Sequence, residues 1–497
     1  MTAMVAVDLG AQSGRVAVGQ FDGERLAVEE MHRFENTPVS EDGILRWDLH
    51  RLFDETLVGL RAAAATATAE IDSLAVDSWA VDFGLLDGQG RLLEQPRHYR
   101  DARRAGATDA VYSHIPPREL YERTGIQLLP INSLFELAAM AAEGDPALND
   151  AETLLLIPDL FHHRLCGSTT TEFTNATTTQ CFDPRTHGWA DDLVGRLGIP
   201  TRLFPAVVEP GTPLGPLDAG VAADTGIRDA TVVAAATHDT GSAVAAVPFR
   251  RTDAAFLSVG TWSLVGFEAT APLITDSTFA ANVTNEGGVG GTYRLLRNVT
   301  ALWVLDECRR SWAADGRFYS FSELIELAGS APPLRSLVDT DDPSFATPGD
   351  MPARIARYCA RTGQPEPLEA ADICRCILES IALKHAEAVE VVSRATGLEP
   401  TELHVVGGGA KNELLCDWTA QATGLPVLAG PEEATLLGNL LVQAIALGEV
   451  GSLEEAREVV RRSFDPRLHE PAATPEWEEA RQRFETLLDR GRHEVTA

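Results

Sequence analysis

The chain has 497 residues, 44% of them hydrophobic and 23% charged, and carries a net charge of −32. Its length exceeds one ordinary core and points to two or three domains, and its composition lets each of them bury a large core. So acidic a surface disfavours binding along nucleic acid or anionic lipid, and a site for a phosphorylated ligand must supply positive potential locally, from backbone N–H groups, Arg or Mg²⁺.

The opening MTAMVAVDLG runs straight into a strand pattern, with neither the basic region nor the apolar core of a secretion signal. VAVDLG and GRVAVGQFDG read as a hairpin, and RFENTPV and GILRWDL add strand and turn signals. RLFDETLVGLRAAAATATAE has helical spacing, and IDSLAVDSWAVDFGLLDGQGRL reads as strand, loop, strand. Residues 117–188 are mostly helical, broken by loops such as LLPIN and TNATTTQ. TVVAAA is a buried strand that gives way to THDTGSA at 237–243.

Residues 254–270, AAFLSVGTWSLVGFEAT, repeat the plan of the first hairpin: apolar strand, Gly turn with hydroxyls, apolar strand. The repeat suggests two halves of related architecture, divided near 247–254 where PFRRTD breaks the apolar pattern. The second half then alternates. A long helix over 372–396 precedes the strand LHVVGGG, the helix NELLCDWTAQATG, the strand PVLAG and the helix EATLLGNLLVQAIALG. TPEWEEARQRFETLLDRGRH closes the chain as an amphipathic helix. The seven Cys are scattered and show no metal-type spacing, and no apolar stretch reaches the roughly 18–20 residues of a bilayer span. Reduced, buried thiols in a cytoplasmic protein are the expectation.

Three Gly-containing turns can carry chemistry. In DLGAQSGR, Gly10 and Gly14 permit turn conformations closed to other residues, Ser13 and Arg15 can donate to an anion, and the strand-end Asp8 can hold Mg²⁺ directly or through water. SVGTWS at 258–263 offers a second such turn. VVGGGAKNELL at 405–415 lets a planar group approach backbone without Cβ interference. Each turn alone is equally a structural feature. Together, two hairpin turns for a polyphosphate and a Gly loop for a base describe the α/β, two-domain actin-like, hexokinase-like ATPase fold, with a ribonuclease H-like motif in each half. In THDTGSA, Asp239 is either a helix cap or a catalytic base at the carboxyl end of a strand. At a helix start, the dipole would keep it ionised.

The sequence resembles the FGGY carbohydrate kinases over nearly its whole length. The resemblance is carried in order by VAVDLGAQSGR, VDSWAVDFGLLDGQGRL with YRDARR, TGIQLLPINSLFEL, and IPDLFHHRLCG with TEFTNATTTQ. It continues through THDTGSAV, LSVGTWSLVGFE, TNEGG with RLLRNVTALW, and HVVGGGAKNELL with GPEEATLLGN. It implies an N-terminal domain over 1–247 and a C-terminal domain over 248–497. It implies ATP and Mg²⁺, with Ala11, Gln12, Ser13, Gly14, Arg15 and Thr261 on the phosphates, Gly408 against the nucleotide and Asp8 toward the metal. Ala80, His238, Asp239, Thr240 and Asn298 would contact a ketose, with Asp239 as proton acceptor.

The expected reaction is γ-phosphoryl transfer from ATP to O1 of L-rhamnulose by a monomer or homodimer. L-Fuculose, L-ribulose or xylulose are alternatives within the family. An actin-like or chaperone-like ATPase, or a non-catalytic sugar-binding protein, is the alternative outside it. Three positions depart from close family members: Ala80 and Gln12, where these carry Gly and Ser, and Asp306, where they tend to carry Gln near the nucleotide. Trp79 is read either as stacking on the ketose or as packing.

Overall fold

MVAVDL is apolar almost without interruption, which suits a strand covered on both faces. In the computed structural model it forms β1 (Thr2–Leu9), buried along nearly all its length. The structure describes residues 1–472 and 474–495, with side chains for all of these except residues 105 and 491–495. β2 (Ser13–Phe21) and β3 (Leu26–Glu35) continue from β1 as antiparallel neighbours. β4 (Ile71–Ser78) pairs with β1 in parallel. With β5 (Thr212–Pro216) and β6 (Thr231–Ala234) the sheet runs β5-β6-β4-β1-β2-β3, and β6 is parallel to β4.

Alternation along β4 sends side chains to two faces. Leu74 and Val76 join Leu52 and Leu60 of the Leu49–Thr66 helix in one core. Ala75, between them, meets Val442 of the Ala434–Ala446 helix on the other face.

A second sheet holds β7 (Ala254–Val259), β8 (Trp262–Ala269), β9 (Tyr293–Thr300), β10 (Glu402–Val406), β11 (Val427–Ala429) and β12 (Arg467–His469). They follow the order β9-β8-β7-β10-β11-β12, and the short strand Thr284–Gly287 lies outside β9 as a seventh. β7 and β8 are antiparallel, and β10 and β11 run parallel to β7 in succession. The series β3-β2-β1-β4-β6 and β9-β8-β7-β10-β11 are therefore the same plan twice, as expected of a ribonuclease H-like motif in each half.

Two compact units result. The first takes in Met1–Pro248, Glu268–Leu295 and Glu433–Asp465, and the second Phe249–Phe267, Leu296–Glu432 and Pro466–Ala497. The chain thus crosses between the units more than once, first after Pro248. The Ala434–Ala446 helix returns to the first unit because its buried amides have partners there. Gln443 Nε2 donates to the Val5 carbonyl at 3.0 Å, Ser73 Oγ donates to Gln443 Oε1 at 2.7 Å, and Asn439 Nδ2 donates to Asp77 Oδ2 at 2.5 Å. All seven cysteines are unpaired and six are buried. Among the described residues no helix is long and apolar enough to cross a membrane.

Candidate active site

Three parallel strands of the first unit lead to polar residues at one end of the sheet, beyond their carboxyl ends. Asp8 is the penultimate residue of β1, and Asp77 stands opposite it in register on β4. Beyond β6 the chain is zipped to β4 by Ser78 N–H donating to the Thr237 carbonyl at 2.9 Å, which brings His238 and Asp239 to the same end.

Asp77 was given no role in the sequence. It is fully buried, and its Oδ1 has no hydrogen-bond partner. Burial pushes its carboxyl well above the ordinary range, and the charges of Asp8 and Asp239 push the same way. A repeated signal marks it: AVD ends both β1 and β4.

Asp8 Oδ2 accepts from Arg15, its cross-strand partner, and the other Arg15 terminal nitrogen donates to Glu433. Burial works against the guanidinium charge, but Asp8 and Glu433 together raise its pKa. Arg15 therefore has two carboxylate partners besides any anion. The Ala11–Gln12–Ser13–Gly14 turn is fixed by Asn36, whose Nδ2 donates to the Gly10 carbonyl at 2.8 Å and whose N–H donates to the Gln12 carbonyl at 2.9 Å. The Phe34 ring packs directly on Gly14, where a Cβ would lie 2.2 Å from it.

Asp239 is the first residue of the Asp239–Ala245 helix, and His238 occupies the cap position without a side-chain cap bond. Asp239 Oδ1 accepts from Thr240 N–H at 2.5 Å and Thr240 Oγ1 at 3.0 Å. Its side chain lies deep yet keeps 31% of its surface open. Burial raises its pKa, His238 opposes that rise and Asp8 adds to it. A carboxylate that is raised but reachable is a stronger base than an ordinary one.

The turn is held from behind by Glu172, also unassigned in sequence. Its carboxyl accepts from Thr237 N–H (2.9 Å), Thr237 Oγ1 (2.8 Å), Thr174 N–H (2.8 Å) and Thr174 Oγ1 (2.5 Å). Burial pushes it from 4.5 up to about 7 against those four donors. A folded value above the unfolded one gives stability that is full below about pH 4.5 and is lost as pH rises through about 7, about 3 kcal/mol in all. Glu172→Gln removes this titration. Denaturant unfolding of both proteins at about pH 5 and about pH 8 should show the wild-type advantage shrinking at the higher pH. A difference that stays constant across that window would contradict the assignment.

Ala80 follows β4 and is partly exposed. Trp79 beside it is buried, lies 4.2 Å from the Trp47 ring and donates from Nε1 to Asp82 Oδ2 at 3.0 Å, so packing is the reading its contacts support. His238 meets Arg294 and Glu286, both buried and both from the TNEGG and RLLRN stretches.

Thr261, Asn298 and Gly408 belong to the second unit. Thr261 sits in the β7–β8 turn, and its carbonyl accepts from Ala301 N–H at 3.3 Å and Trp303 N–H at 3.2 Å. The three glycines divide their duties. Gly407 has φ 81°, and a Cβ on Gly409 would lie 2.3 Å from Val259. Gly408 is exposed with nothing within 4 Å of a Cβ, so it alone leaves room for a ligand. Asp306 is buried on the Trp303–Ala314 helix and paired with Arg309 (2.9 Å) and Arg310 (2.5 Å), which offsets the charge that departs from the family pattern.

Two family models match the chain: the N-terminal domain of the FGGY family of carbohydrate kinases over residues 3–246 and its C-terminal domain over 255–447. A rhamnulokinase of Bacteroides thetaiotaomicron is 42% identical over 484 residues, covering 97% of this chain and 99% of its own length. A rhamnulokinase of Enterococcus faecalis is 38% identical over 489 residues, covering 98% and 97%. A ligand-bound xylulose kinase from Lactobacillus acidophilus is similar in structure, with a TM-score of 0.80 at 17% identity over 100% of this chain and 99% of that one. Plasmodium falciparum glycerol kinase with ADP follows with a TM-score of 0.77 at 15% identity, over 99% and 98%. At such identities the structural likeness speaks for the fold alone.

Proposed function

This chain belongs to the FGGY family of carbohydrate kinases, with ATP and a sugar as its substrates, and we propose from that premise that it phosphorylates O1 of L-rhamnulose. The choice of sugar rests on the rhamnulokinases that resemble the chain over almost its whole length. The observation that carries the chemistry is Asp239, a raised and reachable carboxylate at the end of a parallel strand.

In this reading the O1 hydroxyl gives its proton to Asp239 as the O1–P bond forms and the bond from the γ-phosphorus to the bridging oxygen of ADP breaks. Phosphoryl transfer passes through a loose transition state, so positioning and charge neutralisation dominate. Ala80, His238, Thr240 and Asn298 orient the ketose. Ala11, Gln12, Ser13, Gly14, Arg15 and Thr261 meet the phosphates, and Gly408 leaves space for the nucleotide.

Among the described residues no three His, Cys, Asp or Glu side chains converge closely enough to chelate a metal alone. Mg²⁺ ordinarily takes one or two carboxylates, water and substrate phosphates. Asp8 and the unpartnered Oδ1 of Asp77 fit that loose demand, with Asp8 the principal holder. When bound, the ion offsets phosphate charge.

A panel of ketoses in a coupled ADP assay tests the reading. L-Rhamnulose is expected among the best substrates by kcat/KM. A clear preference for L-fuculose, L-ribulose or xylulose overturns the sugar, and sugar-independent ADP release overturns the kinase chemistry.

A further inference from the structure

His238 touches two opposed demands. Its Nδ1 lies 3.0 Å from Arg294 Nη2 and 3.3 Å from Glu286 Oε2. A guanidinium has only donors, so facing it requires a lone pair on Nδ1; a carboxylate would require Nδ1–H. One ring nitrogen cannot do both.

The geometry decides between them. Arg294 Nη2 can only donate, so its 3.0 Å contact demands a lone pair on Nδ1, and the Glu286 contact is the longer one at 3.3 Å. Arg294 is fully buried, its Nε donates to the Gly287 carbonyl at 2.8 Å, and its Nη1 lies 3.2 Å from Glu286 Oε2 in an ion pair. Burial opposes the Glu286 charge, and the Arg294 guanidinium is the largest influence holding that carboxyl below its usual range. Glu286 thus balances the buried guanidinium, which keeps its Nη2 aimed at the imidazole.

We infer that Arg294 is a positioning residue that fixes His238 as the Nε2–H tautomer. His238 Nε2 lies 3.4 Å from Asp239 Oδ1. The fixed tautomer turns its one donor toward the Asp239 side of the ring, where a ketose oxygen beside that carboxylate can accept it. The opposite tautomer would set Nδ1–H against the Arg294 guanidinium, which has only donors, and would withdraw the donor from Nε2. The catalytic consequence rests on the proposed kinase reading, but the tautomer itself does not.

The test is the two-bond ¹H–¹⁵N correlation spectrum of the full chain labelled with ¹⁵N-histidine, at about pH 8, where an ordinary imidazole is neutral. The His238 signals are identified by their loss in His238→Gln. The expected pattern is protonated Nε2 with unprotonated Nδ1. The Nδ1–H pattern, or an even mixture, overturns the inference. A second protein, Arg294→Met with Glu286→Gln, removes both buried charges together. It should lose the Nε2–H preference, and its kcat should fall about 10²-fold while the KM for ATP holds. A folded double variant with the wild-type tautomer overturns the role of Arg294. If the double variant does not fold, the wild-type spectrum still decides. If no ketose is phosphorylated, the function fails while the spectrum still reads the tautomer.

Discussion

Asp239→Asn is expected to fold like the parent and to lose about 10²–10⁴ in kcat, or about 3–5 kcal/mol of transition-state stabilisation. Asn keeps the size of Asp and an oxygen that can accept from Thr240 N–H and Oγ1, as Asp239 does now. The helix cap position belongs to His238, so no cap is removed. What disappears is the ability to take a proton. The raised pKa of Asp239 adds a second mark. The acid limb of the wild-type kcat/KM profile should lie above the ordinary aspartate range, because a base must be deprotonated in the free enzyme. Steady-state ADP release and thermal unfolding check both halves of the expectation. A variant with full activity would remove Asp239 from the chemistry.

Gly438→Ala is expected to be the most damaging single methyl addition for folding. A Cβ at Gly438 would lie 1.7 Å from the Ser242 carbonyl oxygen, which is backbone against backbone. Neither helix can yield cheaply. Ser242 is fully buried, with its Oγ donating to the Ala236 carbonyl at 2.7 Å, and the Ala434–Ala446 helix is anchored through Asn439 and Gln443. Overpacking ordinarily costs about 1–3 kcal/mol and sometimes more; a clash with pinned backbone belongs at or above about 3 kcal/mol. The strain also falls on the helix that begins at Asp239. Denaturant unfolding should show the loss, and whatever folds should have reduced kcat. A variant within about 0.5 kcal/mol of wild type would contradict the helix crossing described here.

Local pattern made much of this legible. Apolar runs marked β1, β4, β6 and β10, and the repeated hairpin marked the duplicated sheet plan. The THDTGSA stretch marked the strand-to-helix turn that carries Asp239. What stayed hidden depends on partners far apart in sequence. Nothing near Arg15 announces Glu433, 418 residues on. Glu172 reads as an ordinary polar residue until Thr237 folds onto it. Arg294 and Glu286 acquire meaning only through burial against His238, which periodicity does not reveal. The Ala434–Ala446 helix follows β11 in sequence, so adjacency assigns it to the second half, whereas its buried amides pair with β1 and β4. The Gly407–Gly409 run is a further case. Three identical letters hide two packing positions and one open one.

Transfer of the γ-phosphoryl group to O1 of L-rhamnulose can be read from the product itself. The protein is incubated with ATP, Mg²⁺ and L-rhamnulose, and the mixture is followed by ³¹P NMR with proton coupling. ADP and a new phosphomonoester, whose phosphorus couples to the two protons on C1, are expected. ADP with inorganic phosphate, formed at the same rate with or without the sugar, would contradict that transfer.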